Sequence, residues 1–131
     1  MKYLVDSDYV ADFLKGRPTA TDLLNTLFQD GIAISIISFA EVYEGIYYGY
    51  NRTHYTQIFH RFLKGVSVLG ITRSIAKQYA RMRGELGRKG QLIDQPDLFI
   101  AATAIHHNLT LVTRNLKDFE RIPHLTIYKT G

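Results

Sequence analysis

The 131 residues contain no cysteine. That excludes a disulfide scaffold, a thiol nucleophile and a zinc–thiolate site, and it suits a reducing compartment. No apolar run approaches the ~20 residues of a membrane helix. Met1-Lys2 leads straight into a strand-like run, with no apolar stretch of signal-peptide length. These absences predict a cytoplasmic protein with no membrane partner. Tandem repeats, low-complexity tracts, a glycine-rich phosphate loop, a Gly-x-Ser-x-Gly elbow and a His-Glu-x-x-His helix are missing too. With 46% hydrophobic and 21% charged residues, the chain reads as one globular domain over 1–131, long enough for one substantial core.

The formal charge is +4, and its placement matters more than its size. Between Arg73 and Lys89 stand six cations (Arg73, Lys77, Arg81, Arg83, Arg88, Lys89) against one acid, Glu85. A cationic helix fits a polyanion, although a solvated helix face has the same composition. Six phosphate-capable side chains would make such binding strongly salt-dependent.

Apolar periodicity and breakers give the organisation. Lys2-Tyr3-Leu4-Val5 reads as a strand ending in Asp6-Ser7-Asp8. Helical spacing follows from Tyr9 to a stop at Gly16, and Pro18 opens a second helix that ends at Gly31. Ile32-Ala33-Ile34-Ser35-Ile36 is a buried strand, Ser38 opens a third helix, and a turn at 49–51 leads to a fourth that ends at Gly65. Ser67-Val68-Leu69 is a third strand. The cationic helix has Ile75, Tyr79, Met82 and Leu86 as its buried face and is ended by Gly87 and Gly90. A loop with Asp94 and Asp97 opens the next helix, a strand over 109–113 follows, and a last strand covers 125–128. Five strands alternating with about six helices predict an α/β domain with a mainly parallel central sheet. Residues 39–63 carry more aromatic surface, with Tyr43, Tyr47, Tyr48 and Tyr50, than one helix can bury. That excess reads as core packing or, slightly ahead, as a partner surface.

Acids stand at comparable junctions. Asp6 ends the first strand, Glu41 lies in the first turn after the second, Asp97 opens the helix before the fourth, and Asp118 follows the fourth. In a parallel sheet the loops after strand carboxyl ends share one edge, where ligands bind. Carboxylates converging there repel one another unless a cation neutralises them. An all-oxygen set without His or Cys selects hard ions such as Mg²⁺ or Mn²⁺, which activate water and screen a phosphodiester's developing charge. Helix N-termini at that edge favour both carboxylate and phosphate. A plainer reading stands beside this one. Ser38-Phe39-Ala40-Glu41 has capping-box spacing, and Asp94 to Asp97 and Asn115 to Asp118 have cap-like spacing, so each acid could simply start a helix. Asp6 resists that reading, because Ser7 or Asp8 could do the capping. Asp8 and Glu44 read as surface residues, and His106-His107 as cations complementing a helix C-terminus.

Four segments occur in order: Leu4-Val5-Asp6-Ser7; Ser38-Phe39-Ala40-Glu41-Val42-Tyr43-Glu44-Gly45; Gly90-x-x-Ile93-x-x-x-Asp97-x-x-Ile100-Ala101-Ala102; and Leu111-Val112-Thr113-Arg114-Asn115-x-x-Asp118-Phe119. Together they resemble the PIN-domain family, specifically VapC-type toxins of toxin–antitoxin pairs, over nearly the whole chain down to Arg121-Ile122-Pro123. The resemblance implies a three-layer α/β/α PIN-like fold and an Mg²⁺- or Mn²⁺-dependent endoribonuclease. Asp6, Glu41 and Asp97 match the family's acidic triad. At the fourth position both Asn115 and Asp118 fit. Asp118 is favoured as a ligand through water, with Asn115 and Thr113 as polar supports and Ser38 as the small polar residue lining the pocket. Asp94 falls at a variable position and reads as the cap that positions Asp97. Arg114, Arg81, Arg88 and Lys89 are candidates for holding the RNA, with a tRNA or rRNA loop as expected substrate. The family's habits further imply a homodimer, a larger toxin–antitoxin assembly, a VapB-type antitoxin docked on the tyrosine-rich hairpin and acidic pocket, and DNA bound only through the antitoxin. Two alternatives remain: a phospho-acceptor receiver-like domain using Lys117, and a catalytically silent PIN-like RNA-binding protein.

Overall fold

The computed structural model describes residues 1–129. In chain order the elements are β1 (Tyr3–Val5), α1 (Ser7–Leu14), α2 (Pro18–Leu27), a 3-10 turn (Phe28–Asp30), β2 (Ile32–Ser35), α3 (Ile36–Tyr48) and α4 (Arg52–Leu63). They continue with β3 (Val66–Leu69), α5 (Arg73–Arg88), α6 (Gln95–His106), β4 (Thr110–Val112) and α7 (Leu116–Phe119). The sheet is entirely parallel, in the order β3-β2-β1-β4. Strand alternation sorts the core into two layers. Tyr3, Val5, Ile32, Ile34 and Val112 face one side with α1 to α4, whereas Leu4, Ala33 and Leu111 face the other with α5 and α6. This is the expected three-layer α/β/α arrangement.

The order of connections fixes where a site can form. From β1 the chain steps outward to β2 and β3, then returns to place β4 on the other side of β1. Crossovers of one hand that run in opposite directions put their helices on opposite faces, as observed. The reversal leaves a crevice at the carboxyl ends of β1 and β4, the topological switch point of an open α/β sheet. At the other end of β1 the backbone passes Gly31 so closely that a Cβ there would lie 2.8 Å from the Cα of Met1. Its φ of +89° is also costly for any other residue.

Several sequence expectations are corrected. Among the described residues the sheet has four strands, not about five. Residues 125–128 meet β4 through one parallel bridge, Leu111 with Ile127. Thr110 N–H donates to Lys2 and the Val112 carbonyl accepts from Asp6, so both face β1. Of the three β4 residues, only Leu111 turns its N–H and carbonyl outward, and both are used, on Thr126 and Tyr128. Seven α-helices form among the described residues rather than about six, the extra one being the four-residue α7. The cationic helix runs through Gly87 and stops at Gly90, whose φ is +67°. Tyr79, expected in its buried face, is half-buried and stacks on Phe99 with ring centroids 3.8 Å apart. Among the described residues, no helix is long and apolar enough to cross a membrane.

Candidate active site

Asp6 is the anchor. It follows β1 at the switch point and is only 6% exposed. Its backbone N–H donates to the Val112 carbonyl at 2.9 Å, carrying the β1–β4 ladder one residue past the strands. A buried carboxylate needs donors on both oxygens. Oδ1 accepts from the Ser7 N–H at 2.8 Å, and Oδ2 accepts from Thr113 Oγ1 at 2.7 Å. Asp6 is therefore itself the N-cap of α1, although Ser7 or Asp8 could have done the capping. Capping and site roles coincide in one side chain.

From Asp6 the bonds run two ways. Ser7 Oγ donates to Glu41 Oε1 at 3.0 Å, tying α3 to α1. On the other side, Thr113 Oγ1 accepts from the Asn115 N–H at 3.1 Å. The Asn115 side-chain amide then donates to both Asp97 Oδ2 and Asp118 Oδ2, each at 3.2 Å. One network thus joins Glu41, Asp6, Asp97 and Asp118 through Ser7, Thr113 and Asn115. Asn115, the other candidate for the fourth position, thus holds the Asp118 carboxylate as well as that of Asp97. Asp118 is also 3.8 Å from Arg121 Nη1, and that guanidinium reaches the Leu92 carbonyl at 3.4 Å in the loop before α6.

The electrostatics follow from crowding. Burial, followed by repulsion from Asp6, Glu41, Asp94 and Asp118, pushes Asp97 from the usual 3.8 up to about 6. Glu41 is raised as well, first by desolvation and then by Asp6, Glu44 and Asp8, although Ser7 opposes the shift. The residue as a whole is exposed, so this desolvation belongs to the carboxyl end held against α1. Asp8 is likewise raised by burial and by Asp6.

The helix starts differ from the capping expectation. The N-cap of α3 is Ser35, whose Oγ accepts from the Ile37 N–H at 3.0 Å. Ser38 lies inside the first turn and Glu41 in the second, so the Ser38–Glu41 capping box does not exist. Pairing of Ser35 with Leu69 ends β2 at Ser35, which leaves its side chain in capping position. Ser38 is fully buried one turn before Glu41, and its hydroxyl has no hydrogen-bond partner among the described residues. Asp94 occupies the N-cap position of α6 without making the cap bond, and Asn115 does the same at α7, its side-chain N–H group turned to the acids. Among the described residues, no three acid or histidine side chains close around a common point as a metal cage.

Other candidates fall outside this network. Arg81, Arg88 and Lys89 are exposed along α5. Arg114 is paired with Asp12, which also meets Arg17 at 3.2 Å, and its guanidinium lies 4.8 Å from the centre of the Tyr9 ring. Lys117 is exposed on α7. His106 and His107 stand at the far end of α6 from Asp97, edge to face with each other. Glu44 is exposed, whereas Asp8, read as a surface acid, is half-buried beside Asp6. Ser7 was visible only as a possible cap. Its position directly after Asp6 was the available signal, and its bond to Glu41, 34 residues away, has no local signature.

A cavity of about 590 Å³ runs from Glu41 and Asp8, at one side of the network, toward the α3–α4 hairpin. Ser7, Asp8 and Glu41 line one end, and Ile46, Tyr50 and Tyr55 line the other. At the hairpin tip Tyr47, Tyr48 and Tyr50 are 58%, 89% and 92% exposed. Tyr43 instead packs between Phe39 and Phe59, so core packing and exposed surface divide the tyrosines between them.

Fold and site together define a class: a parallel α/β domain whose switch-point crevice gathers acids stitched by hydroxyl and amide donors. A PIN-domain family model matches residues 3–125. Ribonuclease VapC2 of Rickettsia felis is 36% identical over 129 residues, which covers 97% of this chain and 96% of that relative. The tRNA(fMet)-specific endonuclease VapC of Salmonella typhimurium is 28% identical, with 97% of this chain and 96% of the relative covered. Among solved structures, VapBC2 from Rickettsia felis bound to a DNA fragment from their promoter matches over 100% of both chains, with a TM-score of 0.90 and 30% identity. The chain belongs to the PIN-domain family, in its VapC branch.

Proposed function

We propose that this protein is an endoribonuclease toxin that cleaves RNA phosphodiester bonds and is held in check by a VapB-type antitoxin. The observation that carries the reading is the single bonded network joining four carboxylates at the switch point. The relatives named ribonuclease and tRNA-specific endonuclease support it, with a structured tRNA or rRNA loop as substrate. The receiver-like alternative finds no support, because the junction after β3 is Leu69-Gly70, with no acceptor acid.

The donor set fits a hard divalent cation, Mg²⁺ or Mn²⁺. It is all oxygen, burial and then the neighbouring acids raise Asp97 to about 6, and the orphaned Ser38 hydroxyl lies one turn from Glu41. Asp6, Asp97 and Glu41 would hold the ion, with Asp118 contributing through water. Bound there, such an ion supplies activated water and charge neutralisation for attack on phosphorus. The chain's own residues set the stage. Ser7 and Thr113 lock Asp6 in one orientation, and Asn115, an amide that does not titrate near neutral pH, keeps Asp97 and Asp118 apart yet aligned. Arg81 and Arg88 on α5, with Lys89 at its C-cap, offer phosphate contacts whose strength falls with salt.

The antitoxin would lay an apolar segment in the groove between the acids and the exposed tyrosines and thereby close the crevice. Solved VapBC complexes among the structural matches support such a partner, and DNA would be bound only through it. The same tyrosine surface would serve a homodimer within a larger assembly, in the cytoplasm.

The deciding experiment incubates the purified protein with structured RNA, with Mg²⁺ or with a chelator. Cleavage only with the ion is expected. Growth arrest on expression should vanish in Asp6→Ala. Ion-independent cutting would sink the metal role, and an Mg²⁺ titration that leaves both stability and RNA unchanged would favour the silent RNA-binding alternative.

A further inference from the structure

A second pocket, of about 420 Å³, lies past the end of β4 and shares no lining residue with the tyrosine groove, and none of the roles above uses it. Thr113 belongs to both places, since its hydroxyl holds Asp6 while the residue lines the pocket. The walls are aromatic and preset. Tyr128 is fixed edge-on against the buried Tyr3 at 5.7 Å, and Arg114 is held over Tyr9 by its pairing with Asp12. Val112, Leu116, Glu120 and Lys129 complete the lining.

We propose that this pocket receives one unpaired base of the RNA, next to the scissile phosphodiester, and so helps decide where the chain cuts. The proposal rests on the ribonuclease reading. Aromatic rings and a guanidinium plane are the surfaces on which splayed-out bases stack. A cation pair with one carboxylate offers both donors and an acceptor to base edges, whereas a site for phosphate alone gains nothing from Glu120. The volume is at the small end of the ~300–1,000 Å³ range of ligand clefts, suited to one base rather than a helix. Arg114, expected to hold RNA backbone, is thereby given a base-facing role instead.

The test uses the full chain and a set of short RNAs that carry each of the four bases on either side of the cleaved bond. Wild type should discriminate about tenfold between bases at one flanking position, the size of a single good base contact. Leu116→Trp, which fills the pocket from a position 43% exposed, should flatten that preference. Tyr128→Ala should do the same, and if its loss of the Tyr3 contact prevents folding, the Leu116 variant keeps the test decisive. Binding of 5′-nucleoside monophosphates but not ribose 5-phosphate, seen by NMR and lost in Leu116→Trp, is the readout independent of turnover. An unchanged preference profile in a variant that still cuts overturns the pocket alone. A uniform loss on every RNA also overturns it, by marking a backbone contact. Wild type that cuts no RNA overturns the ribonuclease reading and this proposal with it.

Discussion

Between β1 and β4 the important side chains are acids drawn partly out of solvent, and Asp6, with donors on both oxygens, is only 6% exposed. On the α3–α4 hairpin they are large aromatics left in water, with Tyr48 and Tyr50 at 89% and 92%. Each region departs from the usual rule in the opposite sense, polar groups inside and apolar groups outside. A crowd of half-buried carboxylates costs stability and persists where chemistry needs it. Exposed aromatic surface costs solubility and persists where another surface covers it. Under the proposed function the two departures would be a reacting edge and an associating edge, joined by the groove that Glu41 and Tyr50 line.

The sharpest way to break that comparison is to remove one charge from the crowded edge. Asp97→Asn should abolish RNA cleavage, by roughly 10³-fold or more, as expected when a preorganised charge is lost from a reaction centre. It should also make the ion-free protein more stable, by up to about 1 kcal/mol after allowance for solvent screening, because it removes a partly buried charge and its repulsion while leaving an oxygen to accept from Asn115. Cleavage assays and urea melts in chelator check the two halves. A variant that keeps its activity, or one that melts earlier, would mean that Asp97 is only a helix-start residue.

Thr113→Val probes the buried half of the same edge. The substitution keeps shape but strips the donor from Asp6 Oδ2, leaving a buried carboxylate oxygen short of a partner. A loss of about 1.5–3 kcal/mol in stability is expected, together with a fall in activity of about 10–100-fold, typical of groups that orient ligands. Thr113→Ser should restore both.

How much of this was legible depends on the range of the interaction. Tyr3, Leu4 and Val5 betray β1 and its two-faced burial by themselves, and Asp6, Glu41 and Asp97 stand out at junctions because strand-to-helix transitions have local signals. Ser35 against Ser38 was not legible. Two serines three apart each fit a cap, and the choice between them is made by pairing of β2 with β3, which is not local. The bond from Thr113 to Asp6 spans 107 residues, and the one from Asn115 to Asp97 exists only because α6 and α7 meet at the switch point. The fifth strand failed for a geometric reason, since β4 is too short to present more than Leu111 outward.

A smaller effect comes from titration. Asp97 is raised to about 6 in the fold, against 3.8 ordinarily, and Glu41 and Asp8 shift the same way. Between those values the folded protein holds more protons than the unfolded chain, so this contribution to stability is complete below about pH 4 and is lost as pH rises through 6. Ion-free protein should therefore lose stability from pH 4.5 to 7, with a shallower slope in Asp97→Asn. Added Mg²⁺ should stabilise most at the high end, where the acids are charged. Denaturation midpoints across that range, with and without the ion, measure both trends.

The smallest effect on the isolated chain is expected at the associating edge, and that smallness is the point. Tyr48→Ser with Tyr50→Ser touches side chains almost wholly in solvent, so the change in stability should stay within about 0.5 kcal/mol. Cleavage of RNA by the variant alone should match wild type, since neither ring contacts the acid network. Neutralisation is where the pair should tell: the concentration of co-purified antitoxin needed to halve activity should rise. Were cleavage to fall instead, the hairpin would belong to the reacting edge. If neutralisation were unmoved, the exposed rings would have to serve contacts between copies of the chain, which size measurements on the same variant would show.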